Sequence, residues 1–172
     1  MLFYIPLFFI GAAGALTGFG FSYDIAGMVL HTVMMLMVGF LEEIIFRGFL
    51  FRAMAKNNLT NAVIVSAVTF GIGHMVNLLN GYSIFDSVTQ IVYAVAVGFM
   101  LVFMFLRTGS IIMCIAFHAF NNIMTAFASG SMLSDAVGSE QTAELITLSV
   151  MLAITLAYTL YIIKKLPKKQ LP

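Results

Sequence analysis

Long apolar runs separated by short polar segments dominate this chain. Transmembrane barrel strands would be about ten residues long and would alternate apolar with polar positions, whereas these runs are about twice that length and do not alternate. The sequence therefore predicts an all-α, polytopic membrane helix bundle that forms one domain over residues 1–172. We expect six transmembrane helices, over residues 1–21, 25–55, 60–79, 84–106, 110–130 and 143–164.

Charged residues cluster at the ends of these runs and alternate in sign from one end to the next. The basic ends carry Arg52, Lys56, Arg107, Lys164, Lys165, Lys168 and Lys169. The acidic ends carry Asp24, Asp86, Asp135, Glu140 and Glu144. Because Lys and Arg concentrate in cytoplasmic loops, we predict that both termini lie in the cytoplasm.

Composition supports a membrane location and excludes several classes of function. The chain is 62% hydrophobic and 9% charged, whereas a soluble domain carries roughly 25% charged residues. A soluble fold of 172 residues has too little interior for so much apolar surface, so we predict a multi-pass protein of the cell membrane, surrounded by lipid. A net charge of +1 without a basic patch argues against a nucleic-acid partner. The single cysteine, Cys114, excludes an intrachain disulfide.

Three charged residues at positions 42, 43 and 47 stand inside the second run, where a charge is costly and usually functional. On a helix, Glu43 and Arg47 are four residues apart on one face, so Arg47 is predicted to neutralise Glu43. Glu42 lies about 100° around the helix and needs another partner or a chemical task. The alternative is a buried charge cluster that only fixes helix packing.

The third run carries a histidine on a defined helix face. Ser66, Phe70 and His74 recur every four residues and therefore lie on the same side. Gly71 and Gly73 are predicted to let a neighbouring helix approach closely beside His74.

The fifth run presents His118, Asn121 and Asn122, and places His118 and Asn122 on one side of the helix. Histidine exchanges protons near neutral pH, a carboxylate such as Glu42 can act as a base, and an amide can donate to a developing oxyanion. These groups suffice to hydrolyse a peptide bond with an activated water. His31 has no polar neighbours at helical spacing, and we predict that it is a packing residue.

Residues 42–48 (EEIIFRG), 70–74 (FGIGH) and 118–122 (HAFNN) resemble the three motifs of the CPBP intramembrane proteases. This family contains the CAAX prenyl endopeptidases and bacteriocin-processing enzymes, and is also called Abi. The resemblance spans residues 41–125. Family members commonly have more membrane spans than this chain, so the resemblance implies either a fragment or a short variant that lacks N-terminal helices.

The resemblance implies an all-helical peptidase whose site opens to the cytosol. It assigns Glu42 and His74 to the activation of water, and His118 with Asn122 to the stabilisation of the oxyanion. Supporting positions are Glu43, Arg47, Phe70 and Asn121.

Metal dependence is the open point of this mechanism. The family is often labelled metalloprotease, and Glu42, His74 and His118 would offer zinc two nitrogens and an oxygen, with a position open for water. However, the sequence has no His-Glu-x-x-His helix, in which two ligands one turn apart are preset. We therefore prefer a glutamate-activated water with no cofactor, and keep zinc as the alternative.

The preferred function is an intramembrane endopeptidase that acts on peptides or membrane-associated proteins. One alternative is a non-catalytic membrane protein of the same fold, such as a bacteriocin-immunity or partner-binding factor. Another is a proton or ion pathway that uses the same titratable groups. Substitution of Glu42 and His74 distinguishes these functions, because only the first requires both groups for peptide cleavage.

Overall fold

The computed structural model describes residues 5–129 and 131–166, which are mainly helical. The α-helices are α1 (Ile5–Ala12), α2 (Ile25–Glu43), α3 (Arg52–Ala55), α4 (Leu59–Ile72), α5 (Val76–Leu79), α6 (Ile84–Thr108), α7 (Ile111–Met124), α8 (Ser131–Val137) and α9 (Glu140–Lys165). A π-helix covers Ile44–Phe51, and 3₁₀ turns cover Ala13–Thr17, Gly73–Met75 and Thr125–Phe127. In these residues there is no β-strand, only one β-bridge, so the predicted all-α class is confirmed.

Four helices are long and apolar enough to cross a membrane. They cover Ile25–Ala55, Leu59–Leu79, Ile84–Thr108 and Glu140–Lys165. These helices match the second, third, fourth and sixth predicted spans, with ends that differ by at most three residues. Length and composition thus identify an all-helical membrane protein.

The first and fifth predicted spans are shorter than expected. The first run is helical only to Thr17, and the fifth only to Phe127. The backbone that follows the first helix pairs with the end of the fifth. The N–H of Gly20 donates to the Phe127 carbonyl at 3.1 Å, and that of Ser22 donates to the Ala126 carbonyl at 3.0 Å. The prediction of helix over 18–21 and 128–129 was therefore wrong, because extended backbone satisfies these polar groups instead. Residues 1–4 and 130 of these spans lie outside the described residues.

The second predicted helix, over residues 25–55, is α-helical only in part. Immediately after Glu43 the chain adopts a π-helix over Ile44–Phe51, and then returns to α-helix in α3. In a π-helix each carbonyl bonds the N–H five residues on rather than four, and such segments are rare and frequently lie at functional sites. The hydroxyl of the buried Ser66 also donates to the Phe46 carbonyl within this segment, at 3.1 Å.

Tertiary contacts divide the chain into two units. The first unit comprises residues 1–42 and 112–151, and the second comprises residues 43–111 and 152–172. In the second unit α4 and α6 lie in close contact, because a Cβ at Gly98 would stand only 2.7 Å from the Ala67 carbonyl oxygen. The core beneath this contact is apolar and fully buried, and includes Ala67, Met100, Leu101, Met104 and Phe105.

The predicted breaks between helices are capped as their residues suggest. The Asn58 side chain accepts a hydrogen bond from the Asn61 N–H at 2.9 Å and starts α4. At the other end of α6, Gly109 has φ of +68° and donates its N–H to the Phe105 carbonyl. This conformation favours glycine, so α6 ends directly before Gly109, in the gap between the fourth and fifth predicted spans.

The first unit packs its N-terminal helix on α7. A Cβ added at Gly11 would stand 2.7 Å from Cδ1 of Phe120, and the Phe8 and Phe120 rings meet edge to face with centroids 5.4 Å apart. Gly11 therefore belongs to the close-packing face that small residues form between membrane helices.

Candidate functional site

The predicted site residues are divided between the two units. Glu42, His118, Asn121 and Asn122 belong to the first unit, whereas Glu43, Arg47, Phe70 and His74 belong to the second. Each group is described within its own unit.

Glu42 and His118 come together in the first unit. His118 Nε2 lies 3.8 Å from Glu42 Oε2, although the two residues are far apart in the sequence. The His118 side chain is 3% exposed, whereas that of Glu42 is 34% exposed. The separation exceeds a direct hydrogen bond, but a water bonded to both atoms can bridge such a pair. Glu42 is thus an accessible carboxylate beside a buried imidazole.

Gly39 brings these two side chains together. A Cβ added at Gly39 would lie 2.9 Å from the Ala119 nitrogen and 3.0 Å from the Ala119 Cα, so the helix backbones are in contact at this point. Glu42 is three residues beyond Gly39, and His118 directly precedes Ala119. Gly39 could not be assigned this role from the three motifs, although an isolated glycine one turn before an intramembrane carboxylate is a recognisable packing feature.

Gly39→Ala is expected to separate Glu42 from His118 and to lower activity about 10- to 100-fold, because displacement of a catalytic group by about 1 Å costs rates of that order. The methyl group would overlap backbone atoms, which cannot move as a side chain does, and overpacking of this kind costs about 1–3 kcal/mol. Activity and thermal unfolding of the purified protein measure both effects.

Gly14→Ala is the matched control for this substitution. Among the described residues, a Cβ at Gly14 would meet just the Ala128 Cβ, at an ordinary 3.6 Å, so activity and unfolding temperature should stay near wild type. Equal activity of the Gly39 and Gly14 variants would contradict the role given to Gly39.

Asn122 lies one turn beyond His118, in the last turn of α7. Its carbonyl oxygen accepts a hydrogen bond from Thr125 Oγ1 at 2.7 Å and lies 3.3 Å from His31 Nε2. Asn121 is half-buried, and its Cα lies 3.6 Å from a Cβ built at Gly11. His31 is also in contact with an aromatic ring, that of Tyr23, at a centroid distance of 5.4 Å.

In the second unit, the predicted pairing of Glu43 with Arg47 is confirmed. Arg47 Nη1 donates to Glu43 Oε1 at 2.8 Å, and both side chains are 0% exposed. Arg47 Nη2 also donates to the Gly98 carbonyl at 3.2 Å, and the guanidinium carbon lies 4.4 Å from the centroid of the Phe70 ring. Of the two adjacent glutamates, Glu43 is therefore sealed and neutralised, whereas Glu42 is accessible.

Phe70 connects this ion pair with His74. Its ring lies edge to face with the His74 ring at a centroid distance of 5.6 Å, and the same ring is the one that the Arg47 guanidinium contacts. His74 Nδ1 lies 3.2 Å from the Phe70 carbonyl oxygen. Because a carbonyl only accepts, Nδ1 carries the proton in this contact and Nε2 of a neutral His74 is left with its lone pair.

The prediction that Gly71 and Gly73 let a neighbouring helix approach beside His74 holds for Gly71 and was wrong for Gly73. A Cβ at Gly71 would clash with the Val95 side chain and stand 2.8 Å from the Val95 nitrogen, so α6 approaches there. A Cβ at Gly73 would meet nothing within 4 Å among the described residues. Residues two apart on a helix lie about 200° around its axis from each other, so Gly73 does not share the side on which Gly71 meets α6.

The described residues do not form a ready metal site. Within 5–129 and 131–166, no group of three or more His, Cys, Asp and Glu side chains could hold a metal ion. The residues considered for zinc from the sequence are divided between the two units, Glu42 and His118 in the first and His74 in the second, and no step below passes through a metal. The metal requirement of the reaction stays a prediction.

The fold and these contacts define a class of protein: a helical membrane protein with one sealed, ion-paired glutamate and one accessible glutamate beside a histidine. Comparison with protein families matches residues 24–124 to type II CAAX prenyl endopeptidase Rce1-like. The match covers more than half of the 172 residues and includes all three motifs, so the chain belongs to this family. The predicted membership of the CPBP proteases is thereby confirmed. No curated protein and no solved structure matches the chain.

Proposed function

We propose that this protein is an intramembrane endopeptidase that cleaves peptides or membrane-associated proteins with a water activated by Glu42. The observation that carries the proposal is the 34% exposed Glu42 carboxylate, 3.8 Å from the buried His118 imidazole, within apolar sequence. A carboxylate that serves only packing would be expected to be sealed as Glu43 is. Family membership supports the same reaction class.

In the proposed reaction, Glu42 removes a proton from water, and the resulting hydroxide attacks the carbonyl carbon of the scissile peptide bond. The carbonyl oxygen becomes an oxyanion. When the carbon–nitrogen bond breaks, the protonated Glu42 returns its proton to the leaving amine, so the products are a new carboxylate end and a new amine end. For His74 we propose the role that the family resemblance assigns to it, which is to help Glu42 activate the water. The group available for this role is the lone pair of Nε2.

His118 and Asn122 are proposed to stabilise the oxyanion. The two residues are four apart on α7 and thus share a face, as two donors to one oxygen must. An imidazole N–H and an amide N–H are both suitable donors, and fixed donors act most strongly where water is excluded. The burial of His118 meets that condition. Asn121, Phe70 and the Glu43–Arg47 pair are proposed to support these groups.

For membrane topology, we propose six crossings with both termini in the cytoplasm of a plasma-membrane protein. Arg107 lies in the last turn of α6, and Glu140 is the first residue of α9. Because basic helix ends are cytoplasmic, we propose that these two helix ends lie on opposite sides of the membrane. The apolar helix Ile111–Phe127 must then cross between them. At 1.5 Å per residue it spans about 25 Å, slightly less than the ~30 Å core, a mismatch that local thinning accommodates.

Cleavage by the purified protein in lipid vesicles tests the proposal. The probe is a prenylated peptide that ends in a CAAX sequence, as the family description suggests, and the reaction is run in ¹⁸O-labelled water. We expect a shortened peptide with ¹⁸O in its new carboxylate. His74→Ala should lower the rate about 100-fold or more, because general acid–base groups contribute about 10²–10⁴-fold. Thr69→Val, which loses only a hydroxyl bond to the Val65 carbonyl, should cleave as wild type does.

A chelator arm in the same assay addresses the metal. We expect full cleavage after chelation and no stoichiometric zinc in the purified protein. Zinc with chelator-sensitive cleavage would replace the glutamate mechanism by a metal one. No cleavage of this probe or of a library of membrane-inserted peptides would contradict the endopeptidase itself.

A further inference from the structure

We infer that His31 is a positioning residue for the catalytic helix α7. This inference rests on the proposed function, since it assigns His31 an effect on Asn122 and His118. His31 lies outside all three motifs, and its sequence surroundings gave no reason to assign it a role.

The first support is the hydrogen bond to the end of α7. His31 Nε2 lies 3.3 Å from the Asn122 carbonyl oxygen, and because that oxygen can only accept, Nε2 must donate. Asn122 is in the last turn of α7, and its carbonyl also accepts a hydrogen bond from Thr125 Oγ1 of its own helix segment at 2.7 Å. His31 thus supplies a second donor to this carbonyl, and this donor comes from another helix, α2.

The second support is the arrangement along α2. His31 and Glu42 are eleven residues apart, which is about three turns, so they lie on nearly the same face. From that face Glu42 approaches the His118 side chain, and His31 approaches the Asn122 backbone. Between them, Gly39 is in contact with the backbone of Ala119. One helix therefore touches the other beside both proposed oxyanion donors.

The consequence is a fixed register of α7 against α2. Gly39 sets the distance between the two helices but cannot prevent α7 from sliding or turning. A directional bond at Asn122 does so, because an imidazole held against Tyr23 presents its N–H in one direction only. We therefore assign to His31 the orientation of the Asn122 amide and the His118 ring. These donors act in the transition state, so an error in their position lowers kcat more than it raises KM.

The test compares His31→Leu with His31→Gln in lipid vesicles. Leucine keeps the bulk and removes the donor, whereas glutamine keeps an N–H close to the position of Nε2. We expect kcat to fall about 10- to 100-fold in His31→Leu with KM within about twofold, and to recover to within about threefold of wild type in His31→Gln. Thr32→Val is the matched control, because the neighbouring Thr32 hydroxyl donates to the Met28 carbonyl of its own helix and, in the part of the chain that the structure describes, to no group of α7.

Hydrogen exchange of the backbone amides in residues 120–129 is the second readout, and it does not depend on activity. His31→Leu should speed exchange there, and His31→Gln and Thr32→Val should not. Unchanged exchange in the leucine variant, equal kcat losses in the leucine and glutamine variants, or an unchanged kcat with a raised KM would each overturn the inference. If wild type cleaves nothing, the proposed function fails, and with it the catalytic part of this inference. The exchange result then still decides whether His31 holds the end of α7.

Discussion

Glu42→Gln is expected to reduce cleavage about 10²- to 10⁴-fold, the contribution of a general base. Glutamine has nearly the same shape but cannot accept the proton of the attacking water. Because Glu42 is 34% exposed and its contact with His118, at 3.8 Å, is longer than a direct hydrogen bond, the protein should fold and unfold as wild type does. The measurement is kcat for the vesicle-bound protein, together with its thermal unfolding temperature.

Glu140→Gln provides the control for this substitution. It removes an exposed carboxylate from the first turn of α9, outside the three motifs, and should leave kcat unchanged. Glu42→Asp should retain part of the activity, since the base is kept at a shorter reach. Unchanged cleavage of a true substrate by Glu42→Gln would exclude the proposed mechanism and would favour a non-catalytic protein with this fold.

Arg47→Met should destabilise the protein by about 3–5 kcal/mol, the usual cost of removing one partner from a buried ion pair. The Glu43 carboxylate is 0% exposed and would lose its cation, the Gly98 carbonyl would lose a donor, and the Phe70 ring would lose the guanidinium over its face. Unfolding of the purified protein in mild detergent, by heat or by added denaturing detergent, measures the loss.

The double substitution Glu43→Gln with Arg47→Met should recover much of this stability, because no charge is then left buried. Arg52→Met is the matched control. Arg52 is half-buried, and its guanidinium lies over the Phe105 ring at 5.3 Å, so its loss removes packing without stranding an anion and should cost about 1 kcal/mol. A double variant no more stable than Arg47→Met would show that the pair is not the source of the loss.

Much of the fold could be predicted because hydropathy and turn chemistry act locally. The helix over 25–55, the cap at Asn58 and the turn at Gly109 all follow from residues within a few positions of one another. The π-helix could not be predicted, since hydropathy does not distinguish it from an α-helix, and the contacts of this segment with Ser66 and Gly98 join parts of the chain that are distant in sequence. The short first and fifth helices could not be predicted either, because their ends pair with each other across more than a hundred residues.

The candidate site shows the same division. Spacing alone paired Glu43 with Arg47, because residues four apart on a helix meet wherever the helix is placed. Spacing also left Glu42 without that partner, but it could not identify His118 as its neighbour. Gly39 was missed, and His31 was predicted to be a packing residue, because each contacts α7 from α2 and neither belongs to a motif.

By itself, the sequence determined that this is a helical membrane protein of the CPBP proteases, with Glu43 neutralised by Arg47 and Glu42 left for another task. Only the tertiary structure decided that Glu42 is accessible, that it stands beside His118, and that Gly39 and His31 bring α2 onto the end of α7. The physical reason is that residues along one helix have a fixed geometry, whereas contacts between helices depend on how closely and in which register their surfaces pack.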